Sequence, residues 1–480
     1  MVIFEAFESK IVWALIAVLL SIVHRRKKFE SEMKGYEYPP SSVGFITWMR
    51  ARLKPDYPYR ALEWSRQMDS PVYRIRFVMS SKFVVFTKDI HLVRQVLKDK
   101  ESTKPSVYQI ISMIHGGGNN ILSSDGLFWN HSRKAMAPAF SAFHMKRMKE
   151  VVMKKTEEFI RVRLDPMVQK GCPIDICNEM IDLTLGIICE AAFEYDMSDE
   201  ERNEFKNELP LALEEGVKCF VFPFRLKLGK YISPKSRRAL LASTRMIKLA
   251  TKILTSYRAL NNPTRGTVID QIANNTSYKT DKERASDIMI LLLAGHDTTA
   301  FSLSWTLLEL AKNSNEQCSL RTELRRHKEH ERSSLPILRN VVKEGLRLEP
   351  VAPFSGRITN KDIIYKREGH SNHLMLPKGT QIVCSNFLLC RNETYFKDPD
   401  KFQPSRWEDP SDDALAAFTP FSLGRRNCLG QSLAMAELHY VLARLCSDYV
   451  FVVEDEGTPT FSFTWRPKGA LLVASKYNSN

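Results

Sequence analysis

The chain has 480 residues, 44% of them hydrophobic and 26% charged, with 20 Gly and 23 Pro. These are ordinary globular values and exclude a fibrous, collagen-like or disordered chain. The formal net charge of +15 admits nucleic acid, an anionic membrane or an acidic protein as partner.

Length alone, at about 150 residues per domain, suggests two or three domains. The nine cysteines are Cys172, Cys177, Cys189, Cys219, Cys318, Cys384, Cys390, Cys428 and Cys446. They are scattered and form no C-x-x-C pair, which argues against a disulfide framework or a Cys-rich zinc site and for a reducing compartment.

At the N-terminus, Ile11–Val23 is apolar apart from Ser21, and His24-Arg25-Arg26-Lys27-Lys28 follows at once. Glu5 and Glu8 precede it. A cleaved signal peptide has the reverse charge order. This order fits an uncleaved anchor whose C-terminal side stays cytoplasmic. The run is shorter than the ~20 residues that cross a bilayer as a helix. It either spans with Ala6 and Phe7 added or lies partly in the interface; an ordinary buried helix is the competing reading. Tyr38-Pro39-Pro40 makes a stiff break. The expected division is an anchor over 1–28, a linker over 29–45 and a globular body over 46–480.

In the body, strand-like runs come first. Val72–Val78 alternates, and Phe83–Phe86 is a short apolar run. Ile90–Leu97 has helical spacing. Residues 101–124 read as a long loose segment centred on Gly116-Gly117-Gly118-Asn119-Asn120. From about Trp129 to residue 340 the spacing is almost entirely helical, broken near 171–173, 223 and 263–266. After Pro350 the texture changes to short strands and turns, such as Ile382-Val383-Cys384. One further helix is expected from about Gly430 to Ser447, then strands to the end. No repeat or low-complexity linker divides the body. The fold class is therefore mainly α with small β-sheets (α+β), in one large domain.

Chemistry concentrates at Phe421-Ser-Leu-Gly424-Arg-Arg426-Asn-Cys428-Leu-Gly430. Its glycines allow a tight loop that brings backbone close to a flat partner. Such a loop can aim N–H groups at a sulfur and favour the thiolate, as does the helix that opens at Gly430. Arg426 can neutralise an acidic group of a ligand. A lone thiolate there suits haem iron, because the macrocycle already supplies four nitrogens. The competing reading is a buried structural thiol.

The stretch resembles the haem-binding loop of the cytochrome P-450 superfamily, F-x-x-G-x-R-x-C-x-G. All five defining positions are present: Phe421, Gly424, Arg426, Cys428 and Gly430. The resemblance implies the P-450 fold, haem b as cofactor and Cys428 as the axial metal ligand.

Other stretches resemble the family's motifs in order along the chain. Trp129-Asn-His-Ser-Arg133 is similar to the W-x-x-x-R helix, whose Trp129 and Arg133 would meet the haem propionates. Ala294-Gly295-His296-Asp297-Thr298-Thr299 interrupts an apolar helix over Ile288–Leu310 and resembles A-G-x-[D/E]-T-T. In that role Thr298 orients water and Asp297 passes protons inward, which makes them the catalytic pair. Gly295 leaves room for O₂, and Ala294 borders haem and substrate. The competing reading is that Thr298 only bonds back to its own helix. Glu344 and Arg347 match E-x-x-R, and Phe402-Gln-Pro404-Ser-Arg406-Trp407 resembles the region that adds a second arginine. By resemblance Glu344, Arg347 and Arg406 form a buried structural network. Arg357 resembles a third propionate partner.

The function so implied is insertion of one atom of O₂ into a lipophilic small molecule. Electrons would come from NADPH through a separate flavoprotein reductase, because no nucleotide-binding Gly loop is present. The expected partners are O₂, a lipophilic substrate, that reductase and the endoplasmic reticulum membrane, with no nucleic acid. Phe220-Val221-Phe222-Pro223-Phe224, flanked by cations, is a candidate membrane patch over the substrate entrance. Lys146, Arg147, Lys149, Lys154 and Lys155, and separately Arg321, Arg325, Arg326 and Lys328, are candidate reductase-facing runs. Residues 105–122, the loop near 220, Ala294, Val351–Phe354 and Phe461–Phe463 are substrate-facing candidates, and no charged anchor stands out among them. Two alternatives stay open: a haem isomerase or dehydratase of the same fold, and a basic membrane- or nucleic-acid-binding protein without haem.

Overall fold

The computed structural model describes residues 41–477 apart from 69, 77–83, 110–118, 223 and 367–372, together with Ser21, Val23, His24 and Pro39. All but three residues of the expected anchor therefore lie outside the described residues. Among the described residues, no helix is long and apolar enough to cross a membrane.

Extended, β-branched stretches assemble a five-stranded sheet. Its strands are β1 (Ser41–Gly44), β2 (Val72–Arg76), β3 (Val84–Thr87), β4 (Phe354–Ile358) and β5 (Gln381–Ser385). Their order is β1-β2-β3-β5-β4. The pairing of β3 with β5 is parallel, with Val85 opposite Ile382, so the start and the last third of the body share one sheet. The expected linker to residue 45 ends too late. Ser41 stands opposite Arg74 in a parallel pair, because the chain arrives extended and satisfies its backbone on the open edge of β2.

The helices carry most of the mass. In chain order, short ones aside, they are α1 (Phe45–Arg52), α2 (Tyr57–Gln67), α3 (Ile90–Lys98), α4 (Gly126–Met136), α5 (Ala142–Phe159), α6 (Ile176–Phe193), α7 (Asp199–Val221), α8 (Pro234–Arg258), α9 (Asp281–Lys312), α10 (Ser314–Arg326), α11 (Pro336–Leu348) and α12 (Gln431–Asp448). Their starts follow local rules. Asp89 caps α3 by accepting from Leu92 N at 2.7 Å. Ser198 and Glu201 form a capping box at α7, and Pro336 opens α11.

The central helix α9 is longer than the apolar run Ile288–Leu310 suggests. Its first turn is polar, with Asp281 and Glu283 suited to the helix N-terminus, and Thr280 caps it from Glu283 N at 3.3 Å. Most of its length is buried because α6, α8, α11 and α12 pack around it. Gly345 lets α11 approach: a Cβ there would lie 2.1 Å from Thr306 Oγ1 of α9. The main hydrophobic core runs from Trp48 to Ala474, and a smaller one lies between the five-stranded sheet, α3 and Trp407. The last strands, Tyr449–Asp455 and Leu471–Lys476, pair antiparallel beside α9, as the late strand-like texture suggests.

Candidate active site

The cysteine loop is held by its own backbone. Cys428 N donates to Phe421 O at 2.9 Å and Asn427 N to Gly424 O at 3.1 Å. Gly424 has φ +72°, and a Cβ there would lie 2.5 Å from Leu97 O at the end of α3. Both facts call for glycine. Gly430 is under no such constraint: its φ is −87°, and the nearest atom to an added Cβ is 4.0 Å away. It caps α12, and Ala434 N donates to its carbonyl at 3.0 Å.

The Cys428 side chain is exposed, unlike most cysteines of the chain. Burial of its surroundings pushes the thiol up, while the Gly430 N–H and the Arg133 charge pull it down. The loop does aim an N–H at the sulfur, as the sequence suggests.

Helix α4 lies against this loop. Arg133 donates to Asn427 O at 2.9 Å and Asn427 Oδ1 at 2.6 Å. Arg426 stacks over the Trp129 ring, 3.8 Å from its centroid. Arg426 also donates to Ser124 O at 2.8 Å and pairs with Asp125. Asp125 accepts from Lys104 N at 3.0 Å as well. Arg357 of β4 is buried; its Nη1 donates to Gly356 O at 2.9 Å, and its buried Nη2 has no partner. Burial and the charges of Arg357 and Arg426 push Lys104 well down, against the pull of Asp125. Burial also lowers Arg426 to about 10; Asp125 opposes this, and Arg357, Arg425 and Arg133 add to it.

Among the described residues, one carboxylate thus answers a group of mostly part-buried cations, and one buried guanidinium nitrogen is left over. Haem fits this set of residues: its two propionates are carboxylates, Arg357 Nη2 is an orphaned donor for one, and Cys428 is a thiolate ligand for iron. Sequence reasoning singled out Trp129, Arg133, Arg357, Arg426 and Cys428. It missed Asp125, Lys104 and Asn427, which carry no motif.

In α9, Ala294 is exposed on a helix that is otherwise mostly buried. Thr298 Oγ1 donates to Ala294 O at 2.7 Å, so the hydroxyl hydrogen is committed to the helix and only its lone pairs can meet a water. The back-bonding alternative therefore describes the donor. Asp297 is buried and turned elsewhere: its Oδ2 accepts from Thr464 Oγ1 at 2.6 Å, and its Oδ1 lies 3.7 Å from His296 Nε2. Burial holds His296 below its ordinary value, and its Nδ1 is 2.6 Å from Leu292 O. A Cβ on Gly295 would lie 2.7 Å from Ile188 Cδ1 of α6, so the missing side chain makes room for a neighbouring helix.

Glu344, Arg347 and Arg406 come together apart from the cysteine loop. Arg347 Nε and Nη2 each reach Glu344 at 2.9 Å, and both residues are fully buried. Arg406 Nε adds a bond at 2.9 Å. Gln403 N (2.8 Å) and Trp407 Nε1 (2.9 Å), unnoticed in the sequence, complete the carboxylate's partners.

An apolar pocket opens between α1, α7, β4 and the turn after Thr458–Phe461. Tyr108, Phe220, Phe354, Gly356, Phe461 and Phe463 are among its walls. It gathers four of the five substrate-facing candidate segments; Ala294 does not line it. Of the candidate docking cations, Arg321 is buried and donates to Tyr449 O at 3.0 Å, so it is a structural tie. Lys154 and Lys155 pair with Glu190. Lys146 and Lys149 are exposed.

Compared with known proteins, the cytochrome P450 family profile matches residues 39–479. The chain is 28% identical to the probable cytochrome P450 4s3 of Drosophila melanogaster over 82% of each chain. It is 26% identical to the cytokinin hydroxylase of Arabidopsis thaliana, over 88% of this chain and 83% of that one. Among solved structures, the cytochrome P450DA heme domain superposes with a TM-score of 0.75, covering 92% of this chain and 98% of that one at 19% identity, which shows a shared fold. With a family match over nearly its whole length, the chain belongs to the cytochrome P450 family and is a haem-iron monooxygenase.

Proposed function

We propose that the protein oxidises a lipophilic small molecule, with electrons delivered from NADPH by a separate flavoprotein reductase. The observation that carries this reading is the pocket walled by Tyr108, Phe220, Phe354 and Phe461 and by β4 as far as Gly356, the residue before the propionate candidate Arg357. Such a wall desolvates apolar ligands and rejects polar ones.

In this reading Cys428 is the iron ligand, in a loop whose tight turn depends on Gly424, with Phe421 and Gly430 flanking it. Trp129, Arg133, Arg357 and Arg426 hold the propionates. Thiolate-bound haem supplies O₂ activation, with electron density that favours O–O cleavage. The chain's own part is proton control. The lone pairs of Thr298 Oγ1 accept a hydrogen from a water and hold it near the reacting oxygen. Asp297, fixed by Thr464, is the acid from which that water chain is resupplied. Ala294 keeps that side of α9 open, and Gly295 sets its distance from α6.

In this reading an anchor over 1–28 holds the pocket at a membrane surface. Support comes from exposed Phe224, Leu228 and Tyr231 beside Lys227 and Lys230, a mix suited to an interface. The N-terminal charge order puts the body on the cytoplasmic side, as in the endoplasmic reticulum. Exposed Lys146 and Lys149, and exposed Arg325, Arg326 and Lys328 of the second run, are the cations available to an acidic reductase.

The test is reconstitution with haem, a flavoprotein reductase and NADPH, followed by product analysis on a panel of lipophilic compounds. The expected result is an oxygenated product that requires both NADPH and O₂. Product formed without NADPH would replace the oxygenase reading with an isomerase or dehydratase.

A further inference from the structure

Residues 120–125 join two parts of the molecule. At one end Arg426, a propionate candidate, donates to Ser124 O at 2.8 Å and pairs with Asp125. At the other end the segment is tied to α9. Ile121 N donates to Asp287 Oδ1 at 2.6 Å, and Asn120 Nδ2 donates to Ser286 Oγ at 3.3 Å. Asn120 Oδ1 accepts from Leu122 N at 3.1 Å and Ser123 N at 3.0 Å, which folds the segment into one tight turn. Asp287 is fully buried, and its Oδ2 accepts from Tyr278 OH.

A carboxyl in this place has two hydrogen-bond arrangements. Ionised, it accepts from both Tyr278 and Ile121. Neutral, it donates to Tyr278 Oη, and the Tyr278 hydrogen needs another acceptor. Ser132 Oγ of α4 is buried without a hydrogen-bond partner, and it stands near enough to the Tyr278 hydroxyl to act on its proton. The neutral arrangement uses this oxygen and the ionised one leaves it idle. Burial raises Asp287 to about 7; the Tyr278 hydroxyl and the Ile121 N–H oppose the rise, and the charge of Glu283 adds to it. Among the described residues no cation acts on Asp287. Arg284 lies over the Tyr278 ring, 5.5 Å from its centroid. Asp270, on the short helix Val268–Asn274 packed against α9, is spent on Tyr257 OH and Gly266 N, both at 2.8 Å.

We propose that Asp287 is a positioning residue for haem: as a neutral acid bonded to Tyr278 it pins residues 120–125 on α9, and its ionisation loosens that segment and with it the hold of Arg426 on the propionates. This rests on the reading of Arg426 as a propionate partner. The carboxyl value is raised while the segment is pinned and returns to the ordinary ~4 once the segment opens to water. The pin is therefore fully present below that ordinary value, weakens as pH rises to about 7, and changes no further above it, where both states are ionised.

The experiment uses the haem-loaded full chain between pH 5 and 8, with Asp287→Asn and Ser132→Ala for comparison. The first readout is amide hydrogen exchange at Ile121, corrected for the intrinsic exchange rate. The second is haem loss to a haem-free globin. Opening at Ile121 is expected to rise by up to about tenfold per pH unit until near pH 7 and then to level off, as one linked proton requires. Asp287→Asn has nearly the same shape and is neutral throughout, so it should keep the protection and erase the slope. Ser132→Ala removes the acceptor of the neutral arrangement and should move the levelling-off to lower pH. Haem loss should accelerate over the same range in the parent and not in Asp287→Asn. An unchanged slope in Asp287→Asn, or protection lost in that variant at every pH, overturns the pin. An unmoved curve in Ser132→Ala overturns the neutral arrangement. An Ile121 curve that titrates as expected while haem loss is alike in the parent and Asp287→Asn keeps the pin and overturns the reading of Arg426 as a haem partner.

Discussion

Glu344 and Asp125 each sit among arginines, but the two neighbourhoods differ in how their hydrogen bonds close. Glu344 takes five donors, and all five N–H groups of its neighbour Arg347 are used: two on Glu344 and one each on Cys390 O, Pro399 O and Lys401 O. Among the described residues, Asp125 is the carboxylate that opposes the charges of Arg133, Arg357 and Arg425 at Arg426, and Arg357 keeps a buried N–H without a partner. A closed network has nothing left to bind and acts on stability. An open one is complementary to something that is not protein.

The difference can be tested by breaking each side. The largest effect is expected at the ligand the cations surround. Cys428→Ser should leave a folded chain with circular dichroism unchanged and abolish both the reduced carbon monoxide spectrum and product formation. On the closed side, Glu344→Ala should destabilise the fold by ~3–5 kcal/mol, because it strands the buried Arg347 and the part-buried Arg406. Denaturant unfolding of the haem-free chain measures it directly, and a loss below about 1 kcal/mol would erase the distinction drawn here.

On the open side, Arg357→Gln should do the reverse. Haem affinity is expected to fall by about tenfold to a hundredfold, the worth of one charged hydrogen bond, with little change in haem-free stability. Haem transfer to an acceptor protein reads this. A large stability loss with haem affinity intact would make Arg357 structural. The smallest structural effect is expected at Thr298→Ala, which removes one hydroxyl already bonded to its own helix. It should leave unfolding within about 0.5 kcal/mol of the parent while raising peroxide released per NADPH consumed. Unchanged coupling would restrict Thr298 to its helix bond.

Much of the site is legible in the sequence because its parts are local. The spacing of Gly424, Arg426 and Cys428 belongs to one loop, and Trp129 and Arg133 share one turn of α4. Glu344 and Arg347 are three apart on α11 and meet without help from the rest of the fold. The start of α9 is understated because its first turn is polar, so apolar periodicity begins only after the cap. The contact of Gly295 with Ile188 is not legible, because Ile188 comes from another helix. Asp297 is half-read: its acid is visible, but its partner Thr464 lies 167 positions away.

The sequence by itself determined the family, the iron-ligand candidate and the motif residues around it, since these depend on short spacings that steric rules constrain tightly. Only the tertiary structure decided which polar groups are satisfied. It closed the Glu344 network with Gln403 and Trp407 and left Arg357 Nη2 open. The physical reason is that desolvation is a property of place. A guanidinium in water and one set against aromatic rings are the same residue in the sequence, and only packing tells them apart.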